Sequence, residues 1–201
     1  MNEIISGRNP CGILTFYLNP ERKEIYEKVQ FNETQNYVKF WGKDENDKMR
    51  KWAYLPSDFS YDGEKIKINS SNEKLYKVIW PKSGANANWR YTKILKPKEY
   101  FTDTFINVYL NSEEQCNNFI FFFKTLFYRF CEVKTATDHN AYRVVHSNIP
   151  NLKNIKNPRT DKIGWDSDWN EDDLKKLFTF ITEDEWKYIE EEALKSDKGR
   201  K

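Results

Sequence analysis

Ser112-Glu113-Glu114-Gln115-Cys116-Asn117-Asn118-Phe119-Ile120-Phe121-Phe122-Phe123-Lys124-Thr125-Leu126-Phe127-Tyr128-Arg129-Phe130 is the stretch around which the rest of the chain must be arranged. Ser112 and Gln115 have the spacing of a capping box, in which the hydroxyl and the amide each satisfy a backbone donor left open at a helix start. Cys116, Phe119, Ile120, Phe123, Phe127 and Phe130 come after them at helical spacing, and Phe121, Phe122, Leu126 and Tyr128 add apolar cover on other faces. A helix that is apolar on several sides must be packed on several sides. The pattern predicts one long aromatic helix at the centre of the core. Lys124 and Arg129 interrupt residues 119–130, and the run is too short for a bilayer, which takes about 20 apolar residues.

Upstream of this helix, residues 1–110 read as short strands separated by turns. Residues 13–18, 37–41, 52–55, 65–68, 76–80 and 104–110 are rich in β-branched and aromatic side chains. Polar clusters at 42–47 and 69–72 divide them, and 37–41 is expected to pair with 52–55 as a hairpin. Downstream, residues 135–168 read as loop. Two short helices close the chain, one from Asn170 with Glu171, Asp172 and Asp173 in its first turn, the other from Thr182 with Glu183, Asp184 and Glu185. Both starts carry a capping residue and acids that suit the positive end of a helix dipole. Leu174, Leu177, Phe178, Trp186 and Ile189 supply their buried faces, and the chain is expected to fray from Lys195. The fold class expected is α+β: a twisted, mostly antiparallel multi-stranded sheet on the aromatic helix, with two short C-terminal helices.

The 201 residues suffice for one core, and the aromatic fraction of 16% offsets a shortage of small aliphatics. Cys11, Cys116 and Cys131 form neither a disulfide framework nor a zinc pattern, which suits reduced thiols. The first residues lack the basic start and apolar run of a signal peptide, so the expectation is a soluble cytoplasmic protein with no membrane partner. The net charge of +2 hides a segregation. From Lys74 to Lys98 the charged residues are Lys74, Lys77, Lys82, Arg90, Lys93, Lys96 and Lys98, with no acid, interleaved with Trp80, Trp89, Tyr91 and Tyr100 nearby. A basic stretch carrying aromatics has the makeup of a surface that contacts nucleic acid. Between Asp161 and Glu192 acids predominate.

The chemistry of an enzyme is harder to find. The chain has no glycine-rich strand-to-helix turn for a nucleotide or S-adenosylmethionine, no Gly-x-Ser-x-Gly and no His-Glu-x-x-His. Asn9-Pro10-Cys11-Gly12 lacks the aromatic that an Asn-Pro-Pro-Tyr element stacks on a flipped adenine. Glu132-Val133-Lys134, with Asp103 as a further acid, has the residue types of a magnesium-dependent nuclease site. Its place at the end of the helix argues against it. His139, His146 and Cys131 match no standard metal spacing. Asp166, Asp168, Asp172 and Asp173 read as helix-start acids, because the glycine and spacing of a calcium loop are missing.

Several segments in order carry a family likeness. Arg8-Asn9-Pro10-Cys11-Gly12-Ile13 resembles the Arg-x-Pro-Phe-Gly-Leu element of the C-terminal part of adenine-specific restriction–modification methyltransferases, with Cys11 in place of Phe. Tyr76-Lys77-Val78-Ile79-Trp80-Pro81-Lys82-Ser83-Gly84 is similar to their "yKVlipKayG" strand and loop, with Trp80 at an aliphatic position. Thr102-Asp103-Thr104-Phe105-Ile106 resembles "TETyl", and the stretch from Glu113 through Phe130 resembles "EEAenF…lkTkFfRfl". The two acidic helical segments, Trp169 to Phe178 and Thr182 to Glu190, resemble "WtDedLykyFgLteeEidyIe". Of the family's "fvPlqdF" segment, Asn148-Ile149-Pro150-Asn151-Leu152 is the nearest match.

The resemblance implies a DNA target-recognition domain over residues 1–160, an acidic helical segment over 161–194 packed on it, and a tail over 195–201. It implies double-stranded DNA as ligand and a catalytic methyltransferase or endonuclease domain or subunit as partner. S-adenosylmethionine would belong to that partner, with no cofactor in this chain, which reads as a fragment or split-gene product. The expected DNA contacts are Arg8, Lys82, Ser83, Asn86, Asn88, Trp89, Arg90 and Lys93, with a second edge at Lys134, Thr135, His139, Asn140 and Arg143. Lysine and arginine neutralise phosphates, and asparagine and arginine can pair bidentately with adenine and guanine. The competing readings are a small nuclease using Glu132 and Lys134, and a protein-interaction subunit that docks through its acidic helices.

Overall fold

The computed structural model describes residues 23–33, 35–44, 46, 48–61, 64–65, 73–81, 91–102, 105–135 and 149–198. The strand expected at 13–18 lies outside these residues, as does most of 65–68. A single turn of helix, α1 (Lys23–Tyr26), leads into β1 (Tyr37–Lys43), β2 (Arg50–Pro56) and a two-residue ribbon of β3 (Ser60–Tyr61) and β4 (Glu64–Lys65). β5 (Tyr76–Pro81), β6 (Lys93–Leu95), β7 (Glu99–Phe101) and β8 (Phe105–Leu110) complete the strands. The helices are α2 (Glu113–Phe123), α3 (Leu126–Thr135), α4 (Glu171–Leu177) and α5 (Glu183–Lys198). The fold is α+β.

The strands form two three-stranded sheets where the sequence predicts one larger sheet. One has the order β2–β1–β7 and the other β6–β5–β8. The expected hairpin exists, with Trp41 directly opposite Trp52. β7, by contrast, runs parallel to β1, from Lys39 beside Glu99 to Trp41 beside Phe101. The chain leaves β6, crosses to the other sheet as β7, and returns as β8. Lys98, at a positive φ of 65°, makes the first corner, and Thr102 makes the second by donating its N–H to Trp41 and accepting that of Phe105. Such corners are non-local and leave no periodicity to read.

β5 is covered on both faces, so it reads as a continuous buried run. Val78 and Trp80, with Ile106, Val108 and Leu110 of β8, face the helices, where they meet Phe119, Phe122, Phe123, Phe127 and Tyr128. Ile79 faces the other way and packs with Leu95, Phe101 and Phe105 against Trp41 and Trp52. The β6–β5–β8 sheet is thus the middle layer between helices and β2–β1–β7. Lys77, Trp80 and Tyr100 of the basic run and its aromatics are therefore interior rather than surface. Trp80 is wholly buried against Phe123, at 4.8 Å between ring centroids. Lys77 shares the face of Ile79 and is 1% exposed, its ammonium donating to the carbonyls of Leu75 and Lys96.

The long aromatic helix is two helices. Lys124 ends α2, and Thr125 starts α3 by accepting the Tyr128 N–H at its hydroxyl, 3.1 Å away, while donating to the Phe122 carbonyl at 2.7 Å. A threonine hydroxyl that competes for backbone partners in this way makes a break inside an apolar run. The Leu126 N–H, left open by the break, donates to the Glu171 carboxylate from the start of α4. Ser112 caps α2 as expected, by accepting the Gln115 N–H, while the Gln115 amide oxygen takes the Asn111 N–H one residue before the cap.

α5 packs along α3 through Trp186, Ile189 and Ala193, and it continues to Lys198, beyond the Lys195 where fraying is expected. Lys195 bonds Glu192 one turn back, and buried Ala193 pins that turn. Among the described residues no helix is long and apolar enough to cross a membrane.

Candidate nucleic-acid interface

β5 and β6 are antiparallel neighbours, so residues 82–92 between them connect two strands of a rigid sheet. Lys93 opens β6 directly opposite Ile79, which turns its side chain towards the β2–β1–β7 layer. There its ammonium lies 4.1 Å from the ring centroid of Trp41 and 5.2 Å from that of Trp52. The two indoles meet edge to face at 5.3 Å, half-buried over the small core between the sheets. The Lys39 ammonium stands 4.3 Å from the Trp52 ring and 2.9 Å from Glu99 Oε1. The Arg50 guanidinium stands 5.1 Å from the ring of Tyr91, which is 56% exposed at the root of the 82–92 connection.

Strand geometry explains the cluster. Along β1 the side chains of Val38 and Phe40 are buried, as is Gly42, and Lys39, Trp41 and Lys43 alternate with them. Residues directly opposite in an antiparallel pair share a face, so Tyr54, Trp52 and Arg50 join this set. A cation within about 6 Å of an aromatic centroid is attracted by the ring's quadrupole. The ring holds the cation in place without cancelling its charge. A carboxylate sets an opposite charge beside it: the hydrogen bond that Lys39 donates to Glu99, partly opposed by burial, raises the Lys39 pKa and keeps the ion pair charged. Sequence reasoning passed over Lys39, Trp41, Arg50 and Trp52. Their signal was present as a two-residue alternation of cation and tryptophan on two strands already expected to pair.

The candidate residues fall into separate places. Arg8, Lys82, Ser83, Asn86, Asn88, Trp89, Arg90, His139, Asn140 and Arg143 lie outside the described residues, as do Cys11, Asp103 and His146. Lys93 stands in the cluster above. Lys134 lies on the helical side of the middle sheet, whereas Lys93 faces the β2–β1–β7 layer. Its ammonium is 2.7 Å from Glu192 Oε2 on α5, and that hydrogen bond, with one it donates to Tyr188, raises its pKa. Thr135 closes α3.

Glu132 and Lys134 sit two residues apart on a helix, a spacing at which side chains do not face each other. Glu132 is also 2% exposed, and Asp103, the acid expected to hold a magnesium ion with it, lies outside the described residues. Among the described residues no three His, Cys, Asp or Glu side chains gather as a metal site. Burial pushes the thiols of Cys116 and Cys131 up to about 12 and about 11, values at which little nucleophilic thiolate forms.

The acids before α4 and in its first turn are structural. Asp173 is buried and accepts from Arg159 Nε at 3.1 Å, from Asn157 at 3.1 Å and from the Asn170 N–H, whose side chain caps α4 in return. Asp168 takes Arg159 at 3.0 Å, and Asp166 takes the Gln115 amide at 2.7 Å. Gly164, at a φ of 60°, supports this knot, because a Cβ there would fall 2.0 Å from the Lys153 carbonyl oxygen. Comparison with protein-family models, curated proteins and solved structures gives no match to the chain.

Proposed function

We propose that this chain is the DNA target-recognition module of an adenine-specific restriction–modification methyltransferase, working with a catalytic domain or subunit that it does not contain. The observation that carries the reading is the acid-free basic run from Lys74 to Lys98, whose middle connects two strands of the central sheet. At the root of that connection Lys93 meets Trp41 and Trp52, and Tyr91 meets Arg50. The ordered likeness of segments along most of the chain supports the same reading.

In this reading Lys82, Arg90 and Lys93 neutralise phosphates and fix the register of the module on the duplex. Asn86, Asn88 and Arg90 read base edges, and Trp89 wedges where the duplex is distorted. Distortion serves the partner, which must take the adenine out of the stack and supply S-adenosylmethionine. The acidic surface of α4 and α5 is a poor ligand for DNA and is left for the catalytic partner. Phe180, 78% exposed between those helices, offers that partner an apolar anchor.

The test selects a preferred duplex for the full chain from a random-sequence pool, then measures binding against salt. Arg90→Ala is expected to weaken binding to the selected duplex by about 1–3 kcal/mol, and Lys93→Ala to lower the salt slope by about one. Wild-type affinity and slope in both variants would remove this stretch from DNA recognition.

A further inference from the structure

We infer that the exposed rim of the Trp41–Trp52 face of the β1–β2 hairpin, where the half-buried indoles border the core between the sheets, is a second contact surface for duplex DNA, on which Arg50 takes a backbone phosphate beside Lys93. The inference rests on the reading that the chain binds DNA. It assigns a surface outside the 82–92 connection and a ligand chemistry for it, the phosphodiester backbone of a duplex.

Three observations lead there. First, the register places Arg50 at one end of the face, Trp41 and Trp52 at its middle and Lys39 towards its other end. Four residues of strand separate the Lys39 and Lys43 levels, and Arg50 lies opposite Lys43, so the cations span about 13 Å along the hairpin. Lys93 reaches in over the tryptophans between them. That length covers about four rises of 3.4 Å along one DNA strand. Second, Arg50 and Lys93 are held against rings, which fixes their direction while their charge persists. Groups ordered before binding lose less freedom when the ligand arrives. Lys39 contributes less, because Glu99 neutralises it. Third, the face is continuous with the proposed recognition stretch, since Arg50 rests on Tyr91 and Lys93 lies two residues later.

A phosphate contact carries no base information, so its loss should act alike on every sequence. The guanidinium of Arg50 suits a phosphate because its fork can give two parallel hydrogen bonds. The tryptophans then act as positioning residues that hold the cations over the duplex, with no base stacked on them.

The experiment measures binding of the full chain to a random-sequence DNA duplex between 50 and 200 mM salt. Arg50→Ala is expected to reduce the slope of log affinity against log salt by about 0.9, and Arg50→Ala with Lys93→Ala by about 1.8. In the single variant the loss of affinity across that salt range shrinks about threefold. Arg50 is exposed, so thermal melting should match wild type and exclude unfolding as the cause. A wild-type slope in Arg50→Ala, with binding still weakened by Arg90→Ala, overturns this inference alone. Absence of salt-sensitive binding by the wild-type chain overturns the DNA reading beneath it. Tighter binding to an RNA duplex of the same sequence than to DNA would assign the face to another ligand and overturn the inference.

Discussion

Arg159 and Lys93 are both cations fixed by the fold, and the fold fixes them by opposite means. Arg159 meets carboxylates, Asp173 at 3.1 Å and Asp168 at 3.0 Å, in a knot that also caps α4. Lys93 meets two indole rings. In the first case opposite charges cancel and the product is stability. In the second the charge is left uncancelled, as the proposed contact with a DNA phosphate requires. A cation's partner, rather than its exposure, therefore separates a brace from a binding group. Arg159 is as open to solvent as many ligand-binding arginines, its side chain 40% exposed, yet it belongs to the architecture.

Removing a carboxylate from the knot puts this distinction at most risk. Asp173→Ala deletes hydrogen bonds to a charged partner and one half of a capping box, and takes from buried Asn157 one of the two acceptors of its amide nitrogen, the Asp168 carbonyl remaining. Such losses cost about 2–4 kcal/mol together. Chemical denaturation should show a fall of that size, against a change within about 0.5 kcal/mol for Lys93→Ala, which touches no carboxylate. If the two variants lose equal stability, rings and carboxylates are doing the same job and the distinction fails.

Acid titration probes the same point through a smaller effect. Burial works to raise the Asp173 pKa, but hydrogen bonds from Arg159, Asn157 and the Asn170 N–H outweigh it, and the carboxylate is held below its ordinary 3.8. A group whose pKa is lower folded than unfolded gives stability that is present above the unfolded value and lost as pH falls through the folded one. Stability of the C-terminal helices should therefore decline below about pH 4, and Asp173→Asn should flatten that decline. Helical circular dichroism against pH, for both proteins, checks it. An equal decline in the variant would assign the acid sensitivity to other carboxylates.

How far this division could be read from the sequence depends on how local its causes are. Strand pairs 37–41 with 52–55 and the start of α2 at Ser112 were legible, because alternation and capping act within a few residues. The acids of α4 read correctly as helix-start residues, although their tie to Arg159 did not, since Asn157-Pro158-Arg159 carries no periodic signal. The break at Thr125 was written in the sequence but outweighed by the phenylalanines around it. The burial of Lys77 was hidden for a different reason. A lysine between Tyr76 and Val78 reads as surface until a second sheet is known to cover that face. The stretch proposed for recognition stands out by its lack of acids. The tryptophans that anchor its root come from strands some forty to fifty residues earlier and are brought to it by non-local pairing, including that of β7 with β1.

The smallest effect is expected at Lys134, which tests the rule on a residue the sequence nominated for DNA. Its ammonium belongs with Arg159 rather than Lys93, because Glu192 holds it at 2.7 Å. The carboxylate is itself well paired: hydrogen bonds from Lys134 and Lys195 lower its pKa to about 2, so it stays charged at any pH at which DNA binding would be measured. Lys134→Ala should then leave the salt slope on random duplex unchanged, where a phosphate contact would lower it by about 0.9. Glu192→Gln gives the converse. With the countercharge gone, Lys134 becomes an available cation on α3, and non-specific affinity should rise while the Lys134→Ala, Glu192→Gln double variant returns to the wild-type value. A lowered slope in Lys134→Ala alone would mean that DNA can displace Glu192. The partner seen in the free protein would then no longer distinguish brace from binding group.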